Sequence, residues 1–269
     1  MIALVTGGTA GIGAQIAGKL RAAGATVYVT GRDPVRGAGV ADALGATFIA
    51  TDHASVADNL RLAARLADRV APLDILVNNV GGIPGPDRVV TDEGHEATLA
   101  LNYLGPVALT SALLPTLATG SRVVQIVSSA LTMHAGDPFV EPTPHRALAA
   151  YARAKQLALL ATLSLARRLA GSGHVNAVNP GMAWTPGVAA LTPKTIPAWR
   201  HLWPIVRAVQ RLASPEKAAR RPADLALRPT DTGGYYDGTL TTLPERLRAV
   251  SLQDRAWDFA SAAGRRNDA

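Results

Sequence analysis

Ile2-Ala3-Leu4-Val5-Thr6-Gly7-Gly8-Thr9-Ala10-Gly11-Ile12-Gly13 decides how this chain folds. A short apolar run ends in a glycine cluster. A helical stretch, Ala14 to Ala23, follows and is closed by Gly24. Strand, glycine turn and helix form the first half of a βαβ unit. Glycines let the backbone approach a pyrophosphate closely, and the helix N-terminus adds unpaired N–H groups and the positive end of a dipole. Gly7, Gly11 and Gly13 are spaced Gly-x3-Gly-x-Gly, not the Gly-x-Gly-x2-Gly of most dinucleotide-binding dehydrogenases.

Working outward, strands are predicted at Val27–Thr30, Thr47–Ala50, Leu73–Val77, Arg122–Val127 and Val175–Val178. Helices are predicted from Ser55 to Val70, from Thr91 to about Ala118 with a break near Gly105-Pro106, and from Ala147 to Ala170. Alternating strands and helices predict an α/β fold, a Rossmann-type doubly wound parallel sheet with helices on both faces. Residues 1–269 read as one domain, with a frayed tail after Ala260.

The residue after the second strand reads the cofactor. An acid there binds a ribose 2′-hydroxyl, and a base accommodates a 2′-phosphate. Gly31 stands at that place with Arg32 beside it, so the expected cofactor is NADP(H) over NAD(H), with Asp33 as the competing detail. Asp52 and His53 end the third strand. Asp52 either accepts from an adenine amino group or caps the next helix. Asn78-Asn79-Val80-Gly81 ends the fourth strand, as a turn facing a ligand or as plain turn chemistry.

Tyr151 and Lys155 lie four apart at the start of a long helix, one turn apart on the same face. A cation beside a phenol favours the phenolate and lowers its pKa, which suits proton exchange with a carbonyl or alcohol oxygen. Asn102 lies inside a predicted helix, where an amide is slightly unfavourable and needs a reason.

The chain has 269 residues, 48% of them hydrophobic, enough for one large core. The lack of cysteine excludes disulfides and thiolate chemistry and fits a reducing compartment. Its most strongly apolar run, Leu157 to Ala166, is too short to cross a bilayer. Met1 leads straight into the first strand, with no stretch for a signal or anchor. The expectation is a cytoplasmic protein without a membrane partner. The net charge of +7 comes from basic residues spread along the chain in short pairs such as Arg167-Arg168. No basic run interleaves with aromatics, which argues against a nucleic-acid partner.

Thr6-Gly7 with Gly11-Ile12-Gly13, Asn78-Asn79-Val80-Gly81, Asn102, Ser128-Ser129, Tyr151 with Lys155, and Pro180-Gly181 with Thr185 stand in a familiar order. The chain resembles the short-chain dehydrogenase/reductase family over residues 2–260. Asn102-Tyr103-Leu104-Gly105, the long insertion before Tyr151 and Gly233-Gly234-Tyr235-Tyr236 are similar to its retinol-dehydrogenase-type branch. The resemblance implies Tyr151 as general acid/base, with Lys155 lowering its pKa and binding the nicotinamide ribose. Ser129, with Ser128 as alternative, would hydrogen-bond the substrate oxygen. Asn102 would hold a water in a proton relay from Lys155. Thr9, Ala10 and Ile12 would lie on the pyrophosphate and adenosine side, and Thr185 with the Pro180-Gly181 backbone would hold the nicotinamide carboxamide. Val80 and Ala154 depart from the family pattern without removing a catalytic group.

Residues 182–213 carry Met182, Trp184, Trp199 and Trp203, and read as an aromatic-lined lid for a bulky hydrophobic carbonyl or alcohol. The alternative is that Trp199 and Trp203 pack a helix onto the core. His134, Asp137, Glu141 and His145 are too irregularly spaced for a metal site. The Ala147–Ala170 helix is apolar around most of its girth, which suggests a homodimer or homotetramer. The rival functions are epimerisation or dehydration on the same scaffold, and an idle NADP(H)-sensing or scaffolding protein.

Overall fold

The structure, a computed structural model, describes residues 1–70, 72–228 and 230–266. Runs rich in aliphatic, β-branched and aromatic residues make β1 (Ile2–Val5), β2 (Thr26–Gly31), β3 (Thr47–Ala50), β4 (Leu73–Asn78), β5 (Leu117–Ile126), β6 (Gly173–Asn179) and β7 (Tyr235–Asp237). All seven are parallel, and β8 (Thr239–Leu240) adds a short antiparallel edge. The order is β3-β2-β1-β4-β5-β6-β7-β8. Central strands of a parallel sheet are buried on both faces, which explains unbroken apolar runs such as Ala3-Leu4-Val5 and Ile75-Leu76-Val77.

The helices are α1 (Gly11–Ala22), α2 (Pro34–Leu44), α3 (Val56–Val70), α4 (Ala97–Leu99), α5 (Gly105–Leu113), α6 (Ala147–Arg168), α7 (Pro186–Ala189), α8 (Trp203–Leu212), α9 (Pro215–Ala218), α10 (Arg220–Leu227) and α11 (Val250–Arg266). Two cores result. Ile16 and Leu20 of α1, Ala41 of α2 and Leu225 of α10 cover one face of the sheet. Leu62, Leu109, Leu160 and Trp257, from α3, α5, α6 and α11, cover the other. The strand order reverses between β1 and β4, so a ligand crevice opens beyond their carboxyl ends. Gly7 follows β1 and Asn79 follows β4, which sets both turns at that crevice.

Several expectations change. The helix placed at Thr91–Ala118 starts at Ala97, because Gly94 (φ 80°) closes a turn and the Glu96 carboxylate caps the helix through the Thr98 and Leu99 N–H groups. It widens to a π turn at Ala100–Leu104, just before Pro106, which has no N–H to give. Strand β5 starts at Leu117, earlier than Arg122. The apolar girth of α6 is satisfied within the chain. Every residue from Ala152 to Ala166 is buried, between the sheet and α11, so α6 offers no bare face for a second copy. Helix α11 runs on to Arg266 with Ala260 and Ser261 buried, so the tail does not fray at Ala260; residues 267–269 lie outside the described residues. The segment Ala97–Thr116 is long and apolar enough, by length and composition, to cross a membrane, but 78% of that window is buried in the fold.

Candidate active site

The glycine turn is built to leave backbone exposed to a ligand. Gly7 (φ 63°) and Gly11 (φ 53°) occupy the left-handed region that favours glycine. A Cβ on Gly13 would lie 2.4 Å from the Gly7 carbonyl oxygen and 2.5 Å from Asn79 Nδ2, so helix and turn approach as closely as they can. Ala10 stands at the N-cap of α1 and has no side-chain oxygen to engage the first N–H groups. Those groups remain available to an anion. This cradle fits the pyrophosphate of a dinucleotide.

The turn is braced from two sides. Thr6 Oγ1 accepts from the N–H groups of Asn79 (3.0 Å) and Val80 (3.1 Å). Asn79 Nδ2 donates to the Thr6 carbonyl at 2.8 Å. The Asn79 side chain therefore holds the turn through its amide nitrogen. On the other side, the Gly7 N–H donates to Thr30 Oγ1 at 3.2 Å. The Thr30 hydroxyl donates to His53 Nε2, and His53 Nδ1–H donates to Asn59 Oδ1, each at 2.7 Å. Asn59 Nδ2 donates to the Ser55 carbonyl at 2.7 Å, which fixes Oδ1 as the acceptor and the proton on Nδ1. Burial lowers the His53 pKa to about 4 against the raising influence of Asn59, Asp52 and Asp58, so the ring is neutral. His53, expected to touch the cofactor, is 2% exposed and supports the turn through Thr30 instead.

Gly31 ends β2, and Arg32 next to it is exposed. The Asp33 carboxylate accepts from the Val35 (3.1 Å) and Arg36 (3.0 Å) N–H groups as the N-cap of α2. Asp52 is not the cap of α3. Ser55 Oγ accepts from the Asp58 N–H, the Glu93 carboxylate accepts from the Val56 and Ala57 N–H groups, and Asp52 Oδ1 accepts from the Ala54 N–H.

The second cluster lies beyond the ends of β4 and β5. Lys155 Nζ stands 5.8 Å from the centre of the Tyr151 ring and donates to the Ile126 carbonyl at 3.0 Å. A Cβ on Gly81 would lie 2.7 Å from both Lys155 Nζ and Asn102 Oδ1, so only glycine lets these groups converge. Asn102 Nδ2 donates to the Gly82 (2.7 Å) and Thr98 (2.8 Å) carbonyls and its Oδ1 accepts from the Gly82 N–H (2.9 Å). That set of bonds is why an amide sits in a helix interior. Burial lowers the Lys155 pKa to about 8. The expected fall in the Tyr151 pKa is not what the chain's own geometry gives. Burial raises it, and the hydrogen bond with the Ser128 side chain draws it partly back. Ser128 is half-buried on the phenol's side, and Ser129 is exposed at the start of a 3-10 turn.

Gly181 (φ 78°) follows Pro180, and Thr185 packs on the glycine turn. A Cβ on Gly11 would lie 2.8 Å from Thr185 Cγ2. The start of residues 182–213 thus meets Gly11. Beyond it, Arg207 lies 4.9 Å from the Trp184 ring centre and 5.7 Å from that of Trp203, and donates to the Val188 (3.0 Å) and Ala189 (2.8 Å) carbonyls. Both indoles pack on this guanidinium. The Trp199 side chain lies outside the described residues. Glu141 pairs with Arg88 (2.6 Å), and among the described residues no group of three or more His, Asp or Glu side chains is set to hold a metal. Thr6, Thr30, Asn59 and Glu93 were not legible as site supports; threonines ending β1 and β2 were the available signal.

The chain is similar to a probable oxidoreductase of Streptomyces lividans, 38% identical over 68% of this chain, a match spanning 64% of that relative's own length. Polyprenol dehydrogenase of Mus musculus is 34% identical over 95% of this chain and 81% of its own. Human retinol dehydrogenase 13 is 30% identical over 90% and 77%. Two solved structures are similar. The RhlG/NADP active-site complex of Pseudomonas aeruginosa is 28% identical, covers 88% of this chain and 94% of its own, and has a TM-score of 0.66. The 3-ketoacyl-(acyl-carrier-protein) reductase of Brucella melitensis complexed with NADH is 25% identical, with coverages of 88% and 96% and a TM-score of 0.68. The family model for short chain dehydrogenase matches residues 1–195, which hold the glycine turn, Asn102, Tyr151, Lys155 and Thr185. The chain therefore belongs to the short-chain dehydrogenase/reductase family of oxidoreductases, which bind nicotinamide cofactors.

Proposed function

We propose that this protein is an NADP(H)-dependent oxidoreductase that interconverts a carbonyl and an alcohol on a bulky, largely hydrophobic small molecule. The observation that carries the reading is the convergence of Lys155 and Asn102 at Gly81, with Tyr151 and Ser128 alongside, next to the glycine turn. A bound nicotinamide cofactor supplies or accepts the hydride. The chain does the rest. The Tyr151 hydroxyl gives a proton to the carbonyl oxygen or takes one from the alcohol. Lys155, with a pKa of about 8, is cationic at neutral pH and favours the phenolate. Ser128 orients the substrate oxygen, and Asn102 fixes the Gly82 backbone at the edge of the site.

NADP(H) is supported by the end of β2. The nearest acid, Asp33, is committed to its helix cap, while Arg32 stands exposed as a planar donor for phosphate. A hydrophobic substrate is supported by the names of the polyprenol and retinol dehydrogenase relatives and by the exposed apolar residues of α8.

The test follows NADPH consumption and alcohol formation over a panel of hydrophobic ketones and aldehydes. One-to-one stoichiometry is expected. Product with no net change in cofactor oxidation state would replace the proposal with epimerase or dehydratase chemistry. Binding of cofactor without turnover of any carbonyl would leave a sensing role. Ser128→Ala is expected to lower kcat/KM about 10–100-fold and Ser129→Ala by less. The reverse order would move the role to Ser129.

A further inference from the structure

Gly31 occupies the place where an acidic side chain would read a ribose 2′-hydroxyl. Its lack of a side chain has a steric cause within the chain. A Cβ built on Gly31 would lie 2.6 Å from Thr9 Oγ1, 3.0 Å from Thr9 Cγ2 and 3.4 Å from Thr9 Cβ. The first distance is shorter than real Cβ contacts allow, and the second is at their tight limit. Thr9 is 6% exposed, so it has no solvent to swing into. Turning about χ1 gives no relief. Threonine fills two of the three staggered γ positions, and both γ atoms now face Gly31. Any other rotamer still leaves one γ atom against that position.

We propose that Thr9 is a cofactor-specificity residue, which excludes a carboxylate side chain from position 31 and so keeps the end of β2 open for a 2′-phosphate beside Arg32. Thr9 supplies the excluding element and Arg32 the attracting one, the two halves from which specificity is built. The inference rests on the NADP(H) reading, but it concerns a steric block on the opposite side of the same position.

The experiment titrates NADPH and NADH into the wild type, Gly31→Asp and Thr9→Ala/Gly31→Asp. Alanine at position 9 removes both γ atoms and leaves Cβ at 3.4 Å, an ordinary van der Waals contact. Gly31→Asp alone should lose NADPH affinity and bind NADH no better than the wild type. The double variant should bind NADH about 10–100-fold more tightly than Gly31→Asp, the worth of a charge-assisted hydrogen bond to the ribose. Equal NADH affinity in the single and double variants would overturn the proposal. A wild-type preference for NADH would overturn the NADP(H) reading alone, while the ratio between single and double variants would still decide the role of Thr9. If Gly31→Asp does not fold, thermal unfolding of Gly31→Ala and Thr9→Ala/Gly31→Ala decides instead. The single variant should melt lower and the double should recover most of the loss; no recovery would overturn the steric block.

Discussion

Helix α6 and the segment 182–213 stand at opposite extremes of packing. In α6, Tyr151 and Lys155 begin a run in which every residue from Ala152 to Ala166 is buried. A fully buried leucine contributes about 1.5–3 kcal/mol over an exposed one, so the helix that carries Tyr151 and Lys155 is held as firmly as the core itself. In the other segment Leu202, Ile205, Val209 and Leu212 are 56%, 63%, 53% and 85% exposed. Their spacing of three and four puts them on one helical face. Arg207, on the opposite side of α8 between two indoles and two carbonyls, ties the helix to α7. The contrast teaches a division of labour. Proton transfer needs groups fixed in position, and the proposed acid/base pair sits on a packed element. Recognition of varied hydrophobic shapes suits a loosely packed surface.

The largest effect should come from the rigid side. Tyr151→Phe removes one hydroxyl and should lower kcat by about 10²–10⁴ while NADPH affinity stays nearly intact. Most of the turnover surviving would remove the chemistry from α6. Next comes the His53 support of the glycine turn. Its pKa is about 4 in the fold against an ordinary value of 6.5, so between these pH values the unfolded chain binds a proton that the folded chain refuses. Stability present above pH 6.5 is then lost as pH falls through about 4, by about 3 kcal/mol in all. Urea melts at pH 7 and pH 4 should show His53→Asn losing less stability on acidification than the wild type. Equal losses would mean that His53 titrates normally and does not brace the turn. The smallest effect belongs to the loose segment. Arg207→Ala should raise KM about 2–5-fold with kcat unchanged, the worth of a partly exposed cation–π contact. A fall in kcat with KM unchanged would join that segment to the rigid machinery and erase the contrast.

What the sequence made legible was local. A glycine turn between a strand and a helix, and a phenol and ammonium one turn apart, depend on neighbours in the chain, so Gly7, Gly11, Gly13, Tyr151 and Lys155 could be read directly. The supports of the turn were not legible. Thr30 meets Gly7 and His53 across 23 residues, and Asn79 meets Thr6 across 73, through strand order alone. The choice between Ser128 and Ser129 depends on how the chain leaves β5, and the 3-10 turn at Ser129–Met133 sets that direction. The Tyr151 pKa misled for a related reason. Spacing reveals the nearby cation, but the burial that raises the pKa comes from elements distant in sequence. The start of the helix at Ala97 was missed because Gly94 and the Glu96 cap interrupt a pattern whose polarity suits either a turn or a helix.

The measurement that tests the NADP(H) assignment most directly is a paired titration of NADPH and NADH into the wild type and Arg32→Ala. NADPH should bind more tightly to the wild type and lose about 10–100-fold in Arg32→Ala, with NADH affinity unchanged. Tighter NADH binding, unaffected by Arg32→Ala, would contradict it.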